Sequence, residues 1–169
     1  RDLAHVEDIS KFNNMLRVLA SQSGQLLDMS ALSRETTISF PTLQKYLNIL
    51  EETLVLKRVT PYSKSPAVEI SKNPKIFFYD SGLQSLLWFN TFQSTILGSV
   101  FETNVFGELV KKYGRQSIRF WRTKTHQEID FVIENDTTIM PVEVKTTFGQ
   151  FNARAMASFC KKYKIQDWK

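Results

Sequence analysis

Hydrophobic residues near the amino terminus recur at helical spacing. Ile9, Phe12, Leu16 and Leu19 fall at steps of three and four and predict a helix over 8–20, which the polar stretch 21–24 closes. A second helical pattern covers 29–36. Ser39 then offers an N-cap hydroxyl for a third helix reaching 52, and Pro41 is tolerated in its first turn, where a missing N–H costs no intrahelical bond. Leu43, Tyr46, Leu47, Leu50 and Leu54 line one face of that helix. The runs LVLKRVTPY and KIFFYD are β-rich, flank a polar loop over 62–74, and read together as a hairpin. YDSGL, at 79–83, closes the hairpin and opens a short helix through Asp80. Three short helices and a hairpin make the outline of a winged helix-turn-helix.

An apolar patch ending in Trp88 and Phe89 gives way to polar residues over 90–94, so two domains are expected, 1–92 and 93–169. The second opens with a helix, ILGSVFETNVFGELVKKYG, striped by Val100, Phe101, Val105, Leu109 and Val110 and stopped by Gly114. Three strand-like segments follow, SIRFWRT, EIDFVIE and TIMPVEVK, and then a helix over 151–163 with Phe151, Ala155, Phe159 and Tyr163 on one side. The order is αβββα, and the fold class is α/β in its second half and α+β overall. Alternation along the strands puts Ile129, Phe131 and Ile133 on one face and Asp130 on the other; Val142 and Val144 face inward, Glu143 and Lys145 oppositely. Asp130, Glu143 and Lys145 are therefore expected to converge at one end of a sheet. Of Phe120 and Trp121, the alternation buries one. Charged residues on alternating strands are commonly just a solvated face; here a helix bearing Glu102, a strand bearing Asp and a strand bearing E-x-K occur in one αβββα order.

Composition and the remaining residues narrow the picture further. With 169 residues, 42% of them hydrophobic, the chain can bury a core, and no apolar run approaches the ~18 residues of a membrane span. Cys160 is the only cysteine, so no intrachain disulfide forms and a reducing compartment, the cytoplasm, is expected. The chain begins at Arg1 rather than Met, so a piece of a longer polypeptide is expected. The formal charge is +5, of which 91–169 carries +4, a balance that suits polyanions. His126 stands in the turn before Glu128 and reads as a surface histidine rather than a ligand.

The αβββα order with these four residues resembles the PD-(D/E)xK nuclease-like superfamily, over roughly 98–163. Asp130 stands at the family's metal-binding aspartate, Glu143 and Lys145 form its E-x-K, and Glu102 stands at its helical glutamate, with Glu108 as the competing candidate. Ile129 replaces the proline that often precedes the aspartate. The resemblance implies a metal site, with Mg²⁺ as the ion: carboxylate oxygens from Asp130 and Glu143, the carbonyl of Val144, and Glu102 through water, while Lys145 orients the attacking water in phosphodiester hydrolysis. Taken whole, the segment 1–62 with NPKIFFYDSGL, FETNVFGEL, FWRTKTHQEIDFVIE and PVEVK resembles the carboxyl-terminal region of prokaryotic AAA-type ATPases, a winged helix followed by a restriction-endonuclease-like domain of unknown function. No G-x-x-x-x-G-K-[ST] is present, so ATP enters only through an ATPase domain absent from this chain.

The partners this implies are DNA and the ATPase domain of the same full-length protein, with no membrane. On the first domain the third helix would present Thr42, Gln44, Lys45 and Asn48 to a major groove, with Lys57, Arg58, Lys64 and Lys72 meeting phosphates from the wing. On the second, Lys111, Lys112, Arg115, Arg119, Arg122 and Lys124 fall in a stretch free of acidic residues beside the carboxylates. Two functional readings stand: a DNA-binding, metal-dependent nuclease module, or an inactive regulatory or assembly module. A transcription regulator, the third, leaves the carboxylates unexplained.

Overall fold

The computed structural model describes residues 8–64, 73–91, 93, 95, 97–135, 138–147, 149, 151 and 153–165. Lys72 lies outside them. The chain divides into two compact units, one made of Arg1–Arg58 and Asn73–Gly107, the other of Val59–Lys72 and Glu108–Lys169. It is an α+β protein whose helices come first and whose three-stranded sheet comes late.

In the first unit, helix α1 (Ile9–Ser21) begins where the Asp8 carboxylate accepts the Lys11 N–H at 2.9 Å. Asp28 caps α2 (Met29–Thr36) through the N–H groups of Ser30 and Ala31, and Ser39 caps α3 (Phe40–Glu52), with proline in its first turn. Strands β1 (Leu56–Val59) and β2 (Lys75–Phe78) form a two-stranded sheet. The segment after α1 joins β2 as well: the Gly24 N–H donates to the Ile76 carbonyl at 2.7 Å and the Leu27 N–H to Pro74 at 2.8 Å. Asp80 caps α4 (Ser81–Phe89) through the Leu83 N–H at 2.6 Å. Met15, Leu19, Leu43, Leu47, Leu56 and Phe78 form the core, fully or almost fully buried, and each such side chain contributes about 1.5–3 kcal/mol over an exposed one. Leu54 is not on that face: it lies past the end of α3 at φ 59°, and is 52% exposed.

Helix α5 (Gly98–Tyr113) crosses the cut between the units at Gly107. Its first half belongs to the first unit, where Phe106 stacks on Phe77 with ring centroids 5.0 Å apart. Gly107 is required there, because a Cβ would stand 2.9 Å from the Tyr79 carbonyl oxygen of YDSGL, closer than any side chain permits.

In the second unit, β3 (Ile118–Arg122), β4 (Glu128–Glu134) and β5 (Ile139–Val142) form an antiparallel sheet in that order. Helix α6 (Ala153–Tyr163) packs Met156, Phe159 and Tyr163 with Trp121, Ile129 and Val132. The segment 60–62 runs alongside β3, exchanging backbone hydrogen bonds with Phe120, and brings Tyr62 into the same cluster. Three expectations change. Both Phe120 and Trp121 are buried, as are the consecutive Phe131, Val132 and Ile133 of β4, so both faces of this sheet are covered and alternation does not separate inside from outside. Phe151 precedes α6 and is 47% exposed rather than part of its buried stripe. The third strand stops at Val142, before the E-x-K residues. Among the described residues, no helix is long and apolar enough to cross a membrane.

Candidate functional site

The last rung of the β4–β5 ladder pairs Phe131 with Val142. Beyond it a side chain takes over from the backbone: Asp130 Oδ2 accepts the Val144 N–H at 2.7 Å. Glu143, Val144 and Lys145 therefore follow β5 as a tethered segment rather than as ladder residues, and all three are partly buried. The Lys145 ammonium lies among the oxygens this tether gathers. It donates to Glu143 Oε1 at 2.6 Å and to the Val144 carbonyl at 3.1 Å, and stands 3.7 Å from Asp130 Oδ2.

Two carboxylates thus face one ammonium. Burial pushes the Glu143 carboxyl above its ordinary range and the Asp130 charge adds to that; the bond and charge of Lys145 pull the other way without cancelling them, despite the short ion pair. Glu143 Oε2 is buried and has no hydrogen-bond partner. Among the described residues no group of three or more His, Cys, Asp and Glu side chains is gathered to hold a metal. The available donors are two carboxylates and the Val144 carbonyl, all oxygen, the chemistry a hard divalent ion takes, so water would complete any coordination. Beside this cluster an apolar cleft of about 650 Å³ runs along β5, with Ile139, Met140 and Phe151 on its walls and Glu143 as its acidic lining residue.

Glu102 is engaged within its own unit. It belongs to the first unit, where its carboxylate stands 3.6 Å from the ammonium of Lys75, a residue only 3% exposed on β2. Its Oε2 passes so close to Gly24 that a Cβ there would approach to 3.1 Å. The adjacent Thr103 shares a buried hydrogen bond of 2.9 Å with Ser23. Glu108, the competing helical glutamate, makes an exposed ion pair of 2.7 Å with Lys111.

The residues named for DNA contact fall into two groups. Gln44 and Lys45 are exposed on α3, Thr42 is half-buried and bonded to the Ser39 cap, and Arg115 and Lys124 are exposed in the second unit. The others are engaged within the protein. Glu51 receives Arg58 at 2.7 Å and Lys57 at 3.3 Å, and Arg58 also donates to Asn48 at 2.7 Å. Burial works to raise the Glu51 carboxyl, and the Arg58 and Lys57 charges overcome it, leaving Glu51 below its ordinary range. In the second unit Lys64 lies over the Tyr163 ring and Lys112 over Tyr113. Arg119 donates to the Gln116 carbonyl, and Arg122 meets Glu128 at 3.3 Å and exposed His126 at 2.8 Å.

Sequence reasoning missed Glu51 and Lys75 as hubs. Lys75 carried a signal: a lysine opening the apolar run KIFF is buried only at a large desolvation cost, and so demands an anionic partner.

Residues 97–169 match a domain of unknown function, DUF4143, and residues 1–93 match another, DUF8612. The chain is 27% identical over 146 residues to the uncharacterized protein Rv2008c of Mycobacterium tuberculosis and, equally, to the uncharacterized protein Mb2031c of Mycobacterium bovis. Each alignment covers 83% of this chain and 33% of the relative, so the chain spans about a third of the length of the curated relatives it matches. No solved structure matches it. The DUF8612 match alone covers more than half of the residues, and the chain, carrying two domains of unknown function, belongs to the DUF8612 family.

Proposed function

We propose that the second unit is a PD-(D/E)xK nuclease-like domain that hydrolyses phosphodiesters with a divalent ion, joined to a winged helix, and that both serve a prokaryotic AAA-type ATPase. The observation that carries this reading is the meeting of Asp130, Glu143 and Lys145 around one point, from residues up to 15 apart in sequence. Asp130 and Glu143 would hold the ion, with Val144 adding its carbonyl; Mg²⁺ fits an all-oxygen set. A bound divalent ion supplies charge neutralisation at the phosphate and a more acidic water. Lys145 would orient the attacking water and stabilise charge on the phosphoryl oxygens. Arg115 and Lys124 would meet the backbone of the nucleic acid, and Thr42, Gln44 and Lys45 would face it from the winged helix. Glu102 is left out of this set because its carboxylate serves Lys75.

The test is nicking of supercoiled plasmid with Mg²⁺ or Mn²⁺. Wild-type protein should nick, and Lys145→Ala and Asp130→Asn should each lower the rate at least about a hundredfold. Wild-type protein that leaves every DNA form intact with either ion rejects the catalytic reading. The Glu51 network favours a second reading, an assembly module: Arg58, Lys57 and Asn48 lock α3 to β1, which withdraws them from a phosphate backbone. Under that reading the chain binds an ATPase domain tightly and shows no salt-sensitive affinity for DNA.

A further inference from the structure

We propose that Lys145 is the built-in occupant of the cation seat formed by Glu143, Val144 and Asp130, so that its ammonium and a divalent ion compete for one place. This rests on the metal-dependent reading above and adds to it a regulation of the same site. The ammonium reaches Glu143 Oε1 at 2.6 Å and the Val144 carbonyl at 3.1 Å, with Asp130 Oδ2 at 3.7 Å. Those are the oxygens that would ligate an ion. Lysine presents a compact charge with three donors on a flexible stem, so it can fill a small polygon of oxygens and can also leave it. Its side chain is 29% exposed, which gives the ammonium a route out to solvent.

The oxygen set is not saturated by this occupant. Glu143 Oε2 is buried and has no hydrogen-bond partner, and one ammonium leaves the two carboxylates with a net negative charge. A divalent ion answers both deficits, whereas an ion and an ammonium together would place two cations in direct contact. Entry of the ion therefore expels Lys145. The expelled side chain stays anchored one residue from the Val144 carbonyl, close enough to act on a water beside the seat. Loading the site and freeing the lysine for its positioning role become one event. Lys145 is thus a plug before the ion arrives and a positioning residue after.

The test uses the whole chain and Mn²⁺ as the probe. Direct binding is followed by electron paramagnetic resonance on wild type and Lys145→Met, and in parallel the rate at which an amine-reactive ester acylates Lys145 is read by mass spectrometry, with exposed Lys124 as the internal reference. The expected results are binding about tenfold tighter in Lys145→Met, the scale of couplings between groups in contact, and a Lys145 acylation rate in wild type that rises as Mn²⁺ saturates while Lys124 stays constant. Equal or weaker binding in Lys145→Met, with Asp130→Asn and Glu143→Gln still weakening Mn²⁺, overturns the competition and leaves the metal-dependent reading standing. No Mn²⁺ bound by either protein overturns both. If Lys145→Met does not fold, as circular dichroism would show, the wild-type acylation rate decides alone, and no change on saturation overturns the proposal.

Discussion

Each unit holds a lysine–glutamate pair, and the two pairs differ in a way that separates structure from chemistry. Lys75 and Glu102 meet at 3.6 Å with side chains 4% and 18% exposed, and that pair balances in charge. Lys145 meets Glu143 at 2.6 Å, adds Asp130 at 3.7 Å, and keeps 29% of its side chain exposed. The first arrangement ties β2 to α5 inside one unit, around an ammonium that has almost no access to water. The second sets two carboxylates against one ammonium that is partly open to solvent. Burial and charge count decide the difference, since the residue types are the same.

The largest effect expected from breaking this comparison is at Lys75. Lys75→Ala should lower stability by about 3–5 kcal/mol in urea unfolding, because it removes a buried cation from beside the Glu102 carboxylate. Glu51→Gln should sit in the middle, at about 1 kcal/mol for a partly exposed network. That loss should depend on pH. The folded pKa of Glu51 is lowered, so its contribution is complete above the unfolded value, about 4.3, and fades as pH falls through the lower folded value. Wild type and Glu51→Gln should therefore differ at neutral pH and converge in acid. Lys145→Met should have the smallest effect on stability, under about 1 kcal/mol, because its stem is partly solvated and Glu143 can take up a proton. A loss at Lys145 as large as that at Lys75 would erase the distinction between the two pairs.

Much of the helical part of the fold was legible in the sequence because its signals are local. Asp8, Asp28, Ser39 and Asp80 each cap the helix that follows, and α1, α2 and α3 begin and end within a residue or two of where periodicity and caps place them. The order of the strands was legible as well. What was not legible depends on contacts between distant residues. The third strand was expected to reach Lys145 by alternation, but the Asp130 side chain captures the Val144 N–H and ends the ladder at Val142. Glu102 carried a motif position, and its contact with the buried Lys75, 27 residues earlier, is one that no local pattern announces. Juxtaposition of Asp130 with Glu143 and Lys145 follows from antiparallel neighbours of known register; that the ammonium lies inside the oxygens, not beside them, depends on rotamers that alternation does not encode.

The hydrogen bond from the Val144 N–H to Asp130 has a consequence for how inactive alleles are chosen. An asparagine at 130 keeps an acceptor only in one of its two amide orientations; in the other, an NH₂ group faces the Val144 N–H and the whole 143–145 segment drifts from its anchor. A silent Asp130→Asn protein would then be ambiguous between lost ligation and a displaced backbone. Glu143→Gln leaves the Val144 N–H its acceptor, but the Glu143 carboxylate draws in turn on the Asp130 backbone N–H, so the two variants are informative only when read together.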